Sequence, residues 1–231
     1  MSDAFSHLVS SYPVVFAAAF GIIPALIWLW FWLKEDIHPE PTKLIIFTYL
    51  LGMLAVLVAL PLQKGVEKIL SNETALFVVW ALIEELLKFG AAWIGGLHTS
   101  SDDEPIDAMM YMLVAALGFT AMENTLFLID PLISGNIGNA LITGNLRFVG
   151  ATLLHIMSSA SLGVLLALSF GTSRSTKVSY VIIGLILAGT LHSLFNIFII
   201  QSTQNGVFII FGVVWVCIIA LLLAFERIKR A

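Results

Sequence analysis

The chain has 231 residues, of which 59% are hydrophobic and only 11% charged, and its mean hydropathy is +1.00. A soluble domain carries about 25% charged residues, so this composition excludes an ordinary globular protein and specifies a polytopic membrane protein, all-α, folded as one helix bundle in lipid. The net charge of −4 is small and no basic patch interleaves with aromatics, which argues against a nucleic-acid partner.

The apolar runs predict seven membrane-spanning helices, taken in chain order. The first is Pro13–Leu33; no Lys or Arg precedes Lys34, so the basic start of a cleavable signal peptide is missing and the run is expected to be retained. Trp28, Trp30 and Trp32 near its end read as interfacial belt residues. Then follow Leu44–Leu62, Ala75–Leu97, Ile106–Ile129, Leu146–Phe170, Val178–Ile200 and Val207–Phe225. Each approaches the roughly 20 residues that cross a bilayer, and backbone satisfaction in lipid demands helices rather than open strands. The connections are short and polar. The segment from Asp130 to Asn145 has room for a short re-entrant or interfacial helix, which would make an eighth element. The single cysteine, Cys217, lies in the last run; it permits no intramolecular disulfide and no cysteine-built zinc site, and reads as a packed apolar residue. Residues 1–231 are read as one domain with its catalytic helices within 75–200.

Basic residues set the expected orientation. With the N-terminus outside, the inner loops and terminus hold Lys34, Lys43, Arg174, Lys177, Arg227, Lys229 and Arg230, against Lys64 and Lys68 outside. The asymmetry favours N-out, C-in.

The informative residues are ionisable groups inside the spans. Span 3 carries Glu84, Glu85 and Lys88; span 4 carries Asp107, Glu123 and Asn124; span 5 carries Arg147 and His155; span 6 carries His192 and Asn196. Each charge at the bilayer centre costs about 2.5–3.5 kcal/mol, so these groups must pair, face a cavity, or both. Glu84 lies about nine residues down its span, roughly 14 Å at the helical rise, and Glu123, His155 and His192 fall between the same midplane and the outer half. Glu84 and Lys88 stand at i,i+4 and can pair; Glu85 is rotated about 100° away. Bland readings stand beside the functional one. Lys88 with Glu84 is also a structural ion pair, Arg147 a snorkelling interface residue, Asp107 a helix N-terminal charge, and Asn124 and Asn196 interhelical hydrogen-bond glue. His7, His38 and His98 fall in termini or loops and are given no role.

Two carboxylates, two histidines and an asparagine at one depth suffice for hydrolysis by activated water, with no serine nucleophile and no HExxH signature in view. Two other chemistries use the same residues. One is a zinc protease on His155, His192 and a glutamate. The other is an ion- or proton-coupled carrier with a Glu/His relay.

The motifs "EELLKF" (Glu84–Phe89), "DAMMYMLVAALGFTAMEN" (Asp107–Asn124), Arg147 eight residues before His155, and "HSLFN" (His192–Asn196) resemble the series of the PrsW family of bacterial membrane proteases. That family is similar to the wider superfamily of CAAX-type prenyl endopeptidases and bacteriocin-processing or immunity proteins, called glutamic intramembrane proteases; a non-catalytic immunity or scaffold protein of that superfamily is a further reading, against which the full motif set argues. Lys88 closes the first motif as in the PrsW branch, where many other members have Arg one residue later; Asn196 stands where some relatives have Asp. The resemblance implies a catalytic set of Glu84, Glu85, Glu123, His155, His192 and Asn196, supported by Lys88, Asn124 and Arg147, with no cofactor. Either Glu84 or Glu85 is the base. It further implies a multi-pass protein of the bacterial inner membrane that cleaves a single-span regulator, such as an anti-sigma factor, near its outer side.

Overall fold

The structure is a computed structural model and describes residues 8–9, 11–202 and 204–230; His7 lies outside them. The described residues form seven long helices: α1 Pro13–Glu35, α2 Thr42–Glu67, α3 Glu73–Ala92, α4 Pro105–Ile133, α5 Ile137–Leu168, α6 Arg174–Gln201 and α7 Gln204–Ile228. Six of them are long and apolar enough to cross a membrane, α7 from Gly206 on. The exception is α3, whose Glu73, Glu84, Glu85 and Lys88 lower its hydropathy. It nonetheless runs antiparallel along α2: Glu84 meets Gln63 near one end, and Gly95 meets Thr48 near the other. It therefore occupies the depth of a span, and the protein is a multi-pass helical bundle.

Two differences from the sequence reading matter. The region 130–145 does hold a short helix, but one joined to the next span: α4 continues to Ile133, a tight turn through Gly135 (φ 71°) follows, and Ile137–Leu146 forms the first part of α5. A π turn at Arg147–Ala151 then carries α5 into the bundle. In addition, α2 continues to Glu67, so Gln63 is a helical residue and not part of a loop.

The tryptophans also divide. Trp30 is exposed, with the Lys34 ammonium 4.2 Å from its ring centre, as a belt residue should be. Trp32 is fully buried against Phe225 of α7, and Trp28 packs on Phe31 and Trp215. Residues 28 and 32 share one helix face, while residue 30 points the other way.

The bundle is built around α4. Every residue from Ile106 to Ala121 is buried, an all-round apolar helix wrapped by α1, α2, α3 and α5. Close approach depends on small residues, because lipid tails supply no hydrophobic drive between helices and packing must do so. At the α2–α4 crossing, a Cβ on Gly52 would collide with the Ala115 carbonyl, and one on Gly118 with the Tyr49 carbonyl.

At the end of the bundle away from the cavity described below, the Glu104–Asp107 capping box starts α4, so Asp107 is a helix-start charge. Its carboxylate accepts from the Glu104 and Asp103 backbone N–H groups at 2.6 and 3.0 Å. Glu40, in the α1–α2 loop, is buried there and accepts the Tyr111 hydroxyl, with Asp107 beside it. Burial, reinforced by that neighbouring carboxylate, pushes the Glu40 carboxyl up from 4.5 to about 8.

Gly118→Val should therefore destabilise the bundle by about 1–3 kcal/mol through overpacking, read as a lower unfolding midpoint in detergent. A raised folded-state pKa means that the Glu40 contribution is present below its unfolded value and lost as pH rises through about 8. Thermal midpoints should thus fall between about pH 5 and 8 and level off above that, and Glu40→Gln should flatten that slope.

Candidate active site

Helices α3 to α6 bring their ionisable residues into one cluster, joined by residues of α2 and α4. Lys88 is fully buried, and its ammonium is 2.8 Å from Glu85 Oε1, 2.7 Å from His155 Nδ1 and 4.6 Å from the centre of the Phe119 ring. The pairing expected from i,i+4 spacing is the weaker one: Glu84 Oε2 stands 3.8 Å from Lys88 Nζ.

Glu85 is fully buried and fully bonded. Its Oε1 also receives Ser158 Oγ at 2.9 Å and meets His192 Nδ1 at 2.8 Å, while its Oε2 accepts Ser159 Oγ at 2.7 Å. Glu123 Oε2 binds Arg147 at 2.5 Å and His155 Nε2 at 2.9 Å. Arg147 donates also to Asn124 Oδ1 at 2.6 Å, its guanidinium stacks 3.9 Å from the Phe127 ring, and Asn124 reaches Thr152. Arg147 thus points inward and does not snorkel, and Asn124 ties α4 to α5. The π turn that begins at Arg147 is the kind of helix irregularity found often at functional sites.

Glu84 is bonded differently. Its Oε1 accepts Gln63 Nε2 at 2.9 Å, whereas its Oε2 has no hydrogen-bond partner among the described residues. That oxygen lies 3.6 Å from His192 Nε2. Glu84, Glu123, His155, His192 and Asn196 line a cavity of about 750 Å³ walled by α2 to α7. It opens toward the end of the bundle that carries the α2–α3 connection, between aromatic side chains that include Phe77, Trp80, Phe195 and Phe211. The Asn196 side chain has no hydrogen bond among the described residues and is free to donate into that space.

The partners fix the tautomers. Facing the Glu85 carboxylate, His192 carries its proton on Nδ1 and leaves the Nε2 lone pair open. His155 donates from Nε2 to Glu123 and accepts from Lys88 at Nδ1, so both of its nitrogens are engaged.

The sequence reading did not single out Gln63, Ser158, Thr152 or Phe119. Gln63 stood at the polar edge of an apolar run, and serines in spans are common hydrogen-bond glue. Neither carried a signal without the partner helix.

Glu84, His155 and His192 each offer one ligand atom within 4.8 Å of the others, the donor types of a three-ligand metal site. As bonded here, only Glu84 Oε2 and His192 Nε2 are open; a metal at His155 must displace Lys88 or Glu123. The donor types suit a metal, and the bonds that His155 makes to Lys88 and Glu123 compete with it.

A buried carboxylate–histidine cluster in a cavity of a membrane bundle holds the groups needed to activate water inside a membrane. Residues 40–224 match the family model described as PrsW family intramembrane metalloprotease, and the chain belongs to that family. It is 26% identical over 196 residues to a protein named Protease PrsW from Bacillus subtilis (strain 168), covering 81% of this chain and 84% of that one. Proteins of the same name from Geobacillus kaustophilus (strain HTA426) and Oceanobacillus iheyensis are 27% and 26% identical, over 67% and 91% of this chain and 65% and 94% of theirs. No solved structure matches. The chain is a membrane protease, which sets aside the carrier reading.

Removing Glu85 leaves Lys88 buried without its anion, so Glu85→Ala should cost about 3–5 kcal/mol and lower the unfolding midpoint sharply. Glu84→Gln, with one oxygen unpaired, should leave the midpoint near wild type.

Proposed function

We propose that this chain is a metal-independent peptidase in which Glu84 activates water to cut a single-span membrane protein in the outer half of the bilayer. The observation that carries this reading is the asymmetry of the adjacent glutamates. Glu85 has both oxygens bonded, whereas Glu84 keeps Oε2 unpaired in the cavity wall. Glu85 is matched by Lys88 and Glu123 by Arg147, which leaves Glu84 the carboxylate without a close cation of its own.

Glu84 Oε2 takes a proton from water as the water oxygen bonds to the scissile carbonyl carbon. His192 Nε2, opened by the Glu85 contact at Nδ1, accepts a hydrogen bond from the second water O–H, and that hydrogen stays on the water oxygen. The Asn196 amide donates to the oxyanion. When the tetrahedral intermediate collapses, the C–N bond breaks and the proton on Glu84 passes to the leaving amine. Lys88, Arg147, Glu123, Asn124 and His155 hold these groups in place.

The family description implies a metal, and Glu84, His155 and His192 are the residues that would hold it. The engagement of both His155 nitrogens favours the metal-free route, and no step here is assigned to an ion. The whole chain is read as one protease domain, N-terminus outside and C-terminus cytoplasmic, in a bacterial inner membrane. The cavity then opens to the outer side, which suits a single-span regulator such as an anti-sigma factor.

The test compares membranes from cells carrying wild type or Glu84→Gln for truncated single-span proteins, then assays the purified pair. Cleavage should drop about 10²–10⁴-fold in Glu84→Gln. Cleavage by Glu84→Gln at the wild-type rate overturns the glutamate reading. Activity lost on full chelation and regained with zinc overturns the metal-free one.

A further inference from the structure

We propose that Gln63 is a positioning residue for Glu84, supplied by a helix outside the motif-bearing set. The proposal rests on Glu84 being the base. Gln63 is half-buried, lines the same cavity, and its Nε2 donates to Glu84 Oε1 at 2.9 Å. That is the one hydrogen bond Glu84 receives among the described residues, since Lys88 and His192 stand at 3.8 and 3.6 Å from its other oxygen. A carboxylate rotates about its terminal bond over a broad range. With Oε1 tethered to α2, Oε2 is kept toward His192.

The chemistry of the tether matters. An amide donor orients the carboxylate without adding a positive charge, whereas a lysine or arginine would pair with it and weaken it as a base. Glu85, which needs no reactivity, is instead held by an ammonium and two hydroxyls. The two adjacent glutamates thus differ in the charge of what holds them. Gln63 also sits where α2 forms the cavity wall, one residue from exposed Lys64.

Gln63→Met keeps the shape and removes the donor; Gln63→Glu keeps the shape and supplies an acceptor. Kinetics are measured on the full chain in detergent, using as probe the single-span protein found truncated in the wild-type membranes. Both variants should lose roughly 10–100-fold in kcat, the worth of a hydrogen bond to a charged group, with KM within about twofold of wild type. A second readout needs no substrate: labelling of Glu84 by dicyclohexylcarbodiimide, followed by mass spectrometry, should speed up several-fold in Gln63→Met because the tethered oxygen is freed. Wild-type kcat and labelling in Gln63→Met overturn the proposal, as does a raised KM at unchanged kcat, which marks a substrate contact instead. Glu84→Gln in parallel separates the two levels. If it is inactive while Gln63→Met is normal, only the positioning role fails; if it is active, the base assignment fails too.

Discussion

A lysine ammonium with no exposure, placed inside a membrane bundle, dictates the rest of the interior. Such a charge is tolerable only when its protons have partners and an anion lies against it. Lys88 meets both conditions with three neighbours from three helices: Glu85 on its own helix, His155 on α5 and the face of Phe119 on α4. Each neighbour is then fixed in turn. Glu85 orients His192 and binds two serines of α5; His155 is pinned to Glu123, and Glu123 to Arg147. One buried cation thereby links α3, α4, α5 and α6 through directional bonds, in a solvent where apolar contacts do not select one neighbour over another.

The network also separates rigidity from reactivity. Groups that hold the bundle have their lone pairs and protons committed. Capacity to spare belongs to residues that line the cavity: Glu84 through its second oxygen, His192 through Nε2, and Asn196. Saturating Glu85 while leaving its neighbour in sequence half-bonded requires the two side chains to face different helices, which follows from the 100° turn between consecutive helical residues.

Much of this was legible in the sequence. The apolar runs matched the seven long helices, most bounds within about five residues, because a bilayer imposes a length and an apolar composition; the exception is the start of α5, which lies nine residues before the expected Leu146. The shared depth of Glu84, Glu123, His155 and His192 followed from helical rise alone. Pairing was less legible. The i,i+4 rule pointed Lys88 at Glu84, but the rule describes an isolated helix, and His155 draws the ammonium toward Glu85. Choosing between the glutamates needed Gln63, Ser158 and Ser159, which reach them across the bundle. The tryptophans show the same limit: belt composition was evident, but the face occupied by Phe225 was not. Where α2 ends was misjudged because polar residues close an apolar run before they close a helix.

The cavity sets a condition on what can be cut. Its volume is about 750 Å³, while an α-helix with side chains is about 10–12 Å across. Such a space holds little more than one helical turn, and less once the catalytic groups are approached. On the proposed reading, with Glu84 as the base, an intact membrane helix does not fit this space, and a few residues must uncoil first and leave their own hydrogen bonds. The energy of that local melting belongs to the substrate. Selectivity in such an enzyme is thus set partly by how readily a stretch of the target helix comes apart, with glycine, proline and β-branched residues near the cut lowering the cost.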